Sequence, residues 1–131
     1  MLDIMMKTII TTNKAPQAIG PYSQAVKTGQ FLFCSGQIPL DSKTGEKVGT
    51  TIEAQTRQVM ENIKGLLASQ GLDFQNIIKT TVFLLDMNDY GAFNPIYAEY
   101  FAKNPPARST IQVARLPLDV LIEIEVIAVI G

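Results

Sequence analysis

A chain without histidine lacks the usual general base, the usual zinc ligand and every Ser-His or Cys-His dyad, so its chemistry must come from other groups. Its arginines are few enough to weigh singly. Arg57 lies four residues from both Glu53 and Glu61 in a helical pattern, which predicts a solvated ion pair along that helix. Arg115 stands four residues before Asp119 at a turn, where a surface pairing or a carbonyl cap accounts for it. Arg108 differs, because it follows the stiff Pro105-Pro106-Ala107 and opens a strand in which Arg108, Thr110 and Gln112 alternate with Ile111 and Val113. If Ile111 and Val113 face the helices, Arg108 takes the opposite sheet face. Glu123 joins it there by the same alternation, since Ile122 and Ile124 take the helix side. A guanidinium and a carboxylate on one face suit two roles: an ion pair that fixes register, or a carboxylate-binding site beside a proton-handling group. Parity alone leaves both open.

The remaining reactive types are ordinary. Cys34 ends the apolar run Phe31-Leu-Phe-Cys and reads as a small core residue. A lone cysteine forbids an intrachain disulfide and points to a reducing, cytoplasmic setting. Asp86 and Asp89 bracket a turn and read as turn chemistry, so neither a metal nor a cofactor is expected.

At 131 residues the chain suits one domain, residues 1–131, with residues 1–6 a loose lead-in. A formal charge of −1 gives no long-range attraction to phosphate or anionic lipid. No apolar run approaches the roughly 20 residues that cross a bilayer, and the N-terminus lacks the pattern of a secretory signal. Strands are predicted at Lys7–Thr11, Ser23–Lys27 and Phe31–Ser35, the last two joined by the tight turn Thr28-Gly29-Gln30. Thr50-x-x-Glu53 has capping-box spacing, and Ile52, Val59, Met60, Ile63, Leu66 and Leu67 follow with helical period until Gly71. Ile77–Leu85 reads as a strand. Tyr90, Phe93, Tyr97, Tyr100 and Phe101 share one face of a second helix that ends before Asn104-Pro105-Pro106. Ser109–Ala114 and Leu121–Ile130 are the last two strands.

That order is an α+β layout, a mixed sheet whose two helices cover one face. Its long strands are apolar on both sides: Ile78, Val82 and Leu84 oppose Ile77, Phe83 and Leu85, and the last strand carries apolar groups on each face. At about 25 cal/mol per Å², leaving such a second face wet forgoes several kcal/mol, comparable to the net stability of a small domain. Self-association through the sheet is therefore expected, with any pocket where subunits meet.

The stretch Pro106-Ala-Arg-Ser-Thr-Ile-Gln-Val-Ala-Arg-Leu-Pro117, with Ile122-Glu-Ile-Glu125, closely resembles the signature of the RidA/YjgF family. So do Ile19-Gly-Pro-Tyr-Ser-Gln24, Ser35-Gly-Gln-Ile-Pro39 and Lys79-Thr-Thr-Val-Phe83 with Asn94 beyond it. The likeness runs from Lys7 nearly to the end. It implies a chorismate-mutase-like subunit in a homotrimer with a central β-barrel and ligand clefts between subunits. It also implies a hydrolase: an imine deaminase that converts reactive enamine or imine products such as 2-aminoacrylate and 2-iminobutanoate to 2-keto acids and ammonia. On this resemblance Arg108 holds the substrate carboxylate, Glu123 manages water, Tyr22 lines the cleft, and Ser35, Gly36, Asn94 and Thr110 form the surrounding shell. Many members have cysteine where this chain has Thr110, so thiol chemistry does not carry over. Two other functions fit the same subunit: a non-catalytic binder of 2-keto acids or other metabolites, and a ribonuclease or translation inhibitor, which the near-neutral charge disfavours.

Overall fold

The computed structural model describes residues 6–131; the expected lead-in, apart from Met6, lies outside them. The chain runs β1 (Thr8–Ile10), β2 (Ala25–Thr28), β3 (Phe31–Gln37), α1 (Ile52–Ala68), β4 (Ile77–Leu84), α2 (Tyr90–Ala98), β5 (Ala107–Gln112) and β6 (Ile122–Val129). All six strands form one sheet in the order β1-β2-β3-β6-β4-β5, with only β4 and β5 parallel, so α2 serves as their crossover. The α+β layout with two helices is as read from the sequence. Among the described residues no helix is long and apolar enough to cross a membrane.

Local chemistry sets the ends of the elements. The β2–β3 hairpin turns on Gly29 at φ 56, a left-handed conformation that glycine adopts without steric cost. The cap of α1 is Thr51, one residue later than the predicted Thr50, and its side chain accepts from Ala54 N. At the other end Leu72 N–H donates to Leu67 O and Gly71 N–H to Ala68 O, a Schellman pair that needs Gly71 at φ 70. The predicted apolar stripe of α1 is buried throughout, and with Val82, Leu84, Phe93, Ile122 and Ile124 it forms the core. Arg57 does not pair along its own helix. α2 packs across α1, and Glu99, just past the end of α2, takes both guanidinium nitrogens at 3.2 and 3.1 Å, while Glu61 accepts from Tyr100 Oη at 2.8 Å. Arg115 pairs with Asp119 at 3.0 Å, as its spacing predicted.

Two irregularities redirect side chains. Between Ile77 and Lys79 the register with β6 shifts, so Ile77 is buried with Thr80, Val82 and Leu84 while Ile78 points out. The predicted grouping of Ile78 with Val82 and Leu84 is thereby overturned, because simple alternation fails at a bulge. A second bulge in β3 fits three steps, Cys34 to Gln37, against two, Val126 to Ile124. Ser35 and Gly36 form it. The sheet face away from the helices is apolar as expected: Phe33 is 43% exposed and Ile111 45%.

Candidate functional site

β6 alternates strictly, with Ile122, Ile124, Val126 and Ala128 buried under the helices and Glu123 and Glu125 on the opposite face. Glu123 meets the β3 bulge there. Gly36 packs so closely on it that a Cβ at position 36 would overlap the Glu123 carboxylate. The Ser35 hydroxyl donates to Ser23 O at 2.6 Å and the Ser35 amide to Gln24 O at 3.0 Å, which fastens the bulge to the segment before β2. Gln24, inside the predicted strand Ser23–Lys27 but ahead of the observed β2, turns its side chain inward. Its buried amide receives Thr12 N–H and donates to the carbonyls of Thr12, Ala15 and Pro16, shaping the loop that carries Tyr22. Glycine at position 65 lets that loop approach α1, since a Cβ there would strike the Lys14 carbonyl. The Tyr22 hydroxyl accepts from Ile19 N at 3.3 Å, and its ring borders a cavity of about 480 Å³ shared with Ser35, Gly36, Pro117, Glu123 and Glu125. Burial, and then the neighbouring Glu125, push the Glu123 carboxyl above its ordinary value.

Arg108 lies elsewhere. In β5 it is the register partner of Thr80, whose side chain faces the helices and shares a 2.8 Å hydrogen bond with Tyr97 Oη. The guanidinium sits over the rings of Tyr90, Phe93 and Tyr97, with centroids at 5.4, 5.4 and 4.8 Å, and Nη2 donates to Tyr90 Oη at 2.7 Å. Asn94, one helical turn beyond Tyr90, and the Arg108 charge lower the Tyr90 phenol, whereas burial raises that of Tyr97. Two residues along the strand, Thr110 Oγ1 is buried with no hydrogen-bond partner.

The structure therefore gathers Tyr22, Ser35, Gly36 and Glu123 on one face and Arg108, Thr110 and Asn94 on the other. The expectation that Arg108 and Glu123 share a face is corrected. It assumed that Ile111 seeks the helices, but β5 is an edge strand and Ile111 points out, opposite Phe83 and in line with Glu123. Sequence reasoning also missed Tyr90, Phe93 and Tyr97 as neighbours of Arg108, reading the i, i+3, i+7 stripe only as core-facing. The signal available was the single crossover between β4 and β5, which brings that stripe onto the strand bearing the arginine. Cys34 is buried as expected, and desolvation pushes its thiol up to about 12. Asp86 accepts from Asn88 N at 2.9 Å, a turn cap.

A family profile described as Endoribonuclease L-PSP matches residues 12–130. The chain belongs to the RidA/YjgF family. All seven candidate residues fall inside the matched span. A RutC family protein of Pyrococcus horikoshii is 58% identical over 123 residues, 94% of this chain and 98% of that one. Reactive Intermediate Deaminase A, chloroplastic, of Arabidopsis thaliana is 48% identical over 122 residues, 93% of this chain and 65% of the plant protein. Among solved structures, E. coli TdcF with bound serine superposes with a TM-score of 0.90 at 46% identity, over 95% of this chain and 99% of that one. The α+β subunit with one sheet and two helices is thus the RidA/YjgF fold.

Proposed function

We propose that this chain hydrolyses small 2-imino acids of the 2-aminoacrylate and 2-iminobutanoate type to 2-keto acids and ammonia, in a cleft completed by another copy of itself. The separation of Arg108 from Glu123 carries this reading. Each half of the residue set is built and supported, yet a substrate small enough to need both cannot bridge the sheet within one subunit. The apolar face beside Glu123, with Phe31, Phe33 and Ile111 exposed, offers a surface for a second copy to cover. A homotrimer with a central β-barrel, the arrangement the resemblance implies, would bring a neighbour's Arg108 to the Glu123 cavity. The plant relative's name supports the reaction, and serine in the TdcF structure is a ligand of the right size and charge.

The chemistry suits the residues. The imine carbon is already electrophilic, so positioning supplies most of the acceleration. Arg108 binds the carboxylate through charge-assisted hydrogen bonds. Glu123 takes a proton from water as its oxygen bonds to the imine carbon, then returns the proton to nitrogen. Glu123 then takes the proton of the new hydroxyl and passes it to the same nitrogen, so the C–N bond breaks with ammonia leaving and the keto group forming. Tyr22 walls the cleft, and Ser35, Gly36, Asn94 and Thr110 complete its lining. The family profile's name points instead to RNA, for which a net charge of −1 provides no electrostatic footprint.

The test couples purified protein to a dehydratase that releases 2-aminoacrylate and follows keto-acid appearance. Acceleration that Arg108→Ala abolishes supports the reading. Equal rates with and without protein, or full activity in the variant, would reject it. Saturable keto-acid binding without turnover would mark a binder.

A further inference from the structure

We infer that Tyr90 is a positioning residue for Arg108: its phenol fixes one corner of a guanidinium that lies over aromatic rings, so that the other N–H donors are presented to a substrate carboxylate. The inference rests on Arg108 being the carboxylate anchor, and it goes further by naming what holds the anchor still. Three rings on one face of α2, at positions 90, 93 and 97, lie over the guanidinium. Attraction to the rings acts on the charge and fixes no direction for the five N–H donors. The Tyr90 oxygen accepts a hydrogen bond from Arg108 at 2.7 Å, the Tyr97 oxygen lies close by, and among the described residues no carboxylate lies within 4 Å of the guanidinium. Attraction to the rings alone leaves the guanidinium free to turn, and the hydrogen bond at Nη2 fixes one of its corners.

Tyr90 is also placed for this work. Phe93 and Tyr97 are buried and serve the core, whereas Tyr90 is 38% exposed, so the ring that bonds to Arg108 reaches the surface. The Tyr97 hydroxyl is committed to Thr80. A pre-oriented guanidinium spares the ligand the ordering of a long side chain, which lowers the concentration of substrate needed without changing the step at the imine carbon.

Tyr90→Phe keeps the ring and deletes the hydrogen bond. KM for the imine is expected to rise about five- to tenfold with kcat within about twofold, because the interaction acts equally on bound substrate and transition state. The dissociation constant of 2-oxobutanoate, measured by calorimetric titration, rises by the same factor while the melting temperature stays within about 2 °C. An unchanged or lowered KM, or a loss confined to kcat, would overturn the inference. Arg108→Ala assayed in parallel separates the two levels. If it abolishes turnover while Tyr90→Phe behaves as wild type, only the role of Tyr90 falls; if it leaves turnover intact, the anchor falls and Tyr90 with it.

Discussion

Arg108 and Glu123 project from opposite faces of one sheet, on strands separated only by β4. The closeness in the sheet conceals a functional separation, since neither side chain can reach round the strands between them. If each site draws one residue from each of two copies, Arg108→Ala and Glu123→Ala should be inactive singly. Unfolding and refolding them together in equal amounts should restore both native groups to about one quarter of the sites. The keto-acid assay on the mixture checks this, and no recovery despite mixed oligomers would place both residues in one subunit.

Gly36 should resist even the smallest side chain. A methyl group there collides with the Glu123 carboxylate, which must swing away or drive the bulge apart. Gly36→Ala is expected to lower kcat about a hundredfold while the far-ultraviolet circular dichroism stays native, because a displacement of about 1 Å suffices for such a loss. Activity near the wild-type level would show that the carboxylate need not stand where it does.

Self-association should strengthen as pH rises. In the single chain burial and Glu125 raise the Glu123 pKa, so its contribution to stability is full below the ordinary carboxylate value and is lost as pH climbs through the raised one. A neighbour's Arg108 brought beside it favours the charged form and lowers the pKa again. Assembly then releases a proton, and acidification from neutral pH toward about 4 should weaken it. Sedimentation velocity at several pH values would follow the change, and Glu123→Gln should flatten the dependence.

Thr110 and Thr80 should respond oppositely to the same substitution. Thr110 Oγ1 is buried and unpaired, so Thr110→Val should stabilise the chain by about 1 kcal/mol in urea unfolding. Thr80→Val leaves the buried Tyr97 hydroxyl without its 2.8 Å partner and should cost about 1 to 2 kcal/mol. A destabilised Thr110→Val would mean that its hydroxyl has a partner in the assembled protein.

Periodicity by itself determined the element order, the buried stripe of α1 and the apolar character of both sheet faces, because these depend on local patterns that burial must respect. The family was legible in the motifs, and the roles proposed for Arg108 and Glu123 come from that resemblance. What only the tertiary structure decided was the facing. Alternation counts positions along a strand, but bulges at Ile78 and at Ser35-Gly36 reset the count, and an edge strand such as β5 can turn its isoleucine outward when the arginine beside it has aromatic rings to lie on. The partners of Arg57 and Arg108 were hidden for the same reason. Each comes from α2 or just beyond it, and which strand or helix that segment crosses is set by long-range packing that no local spacing encodes.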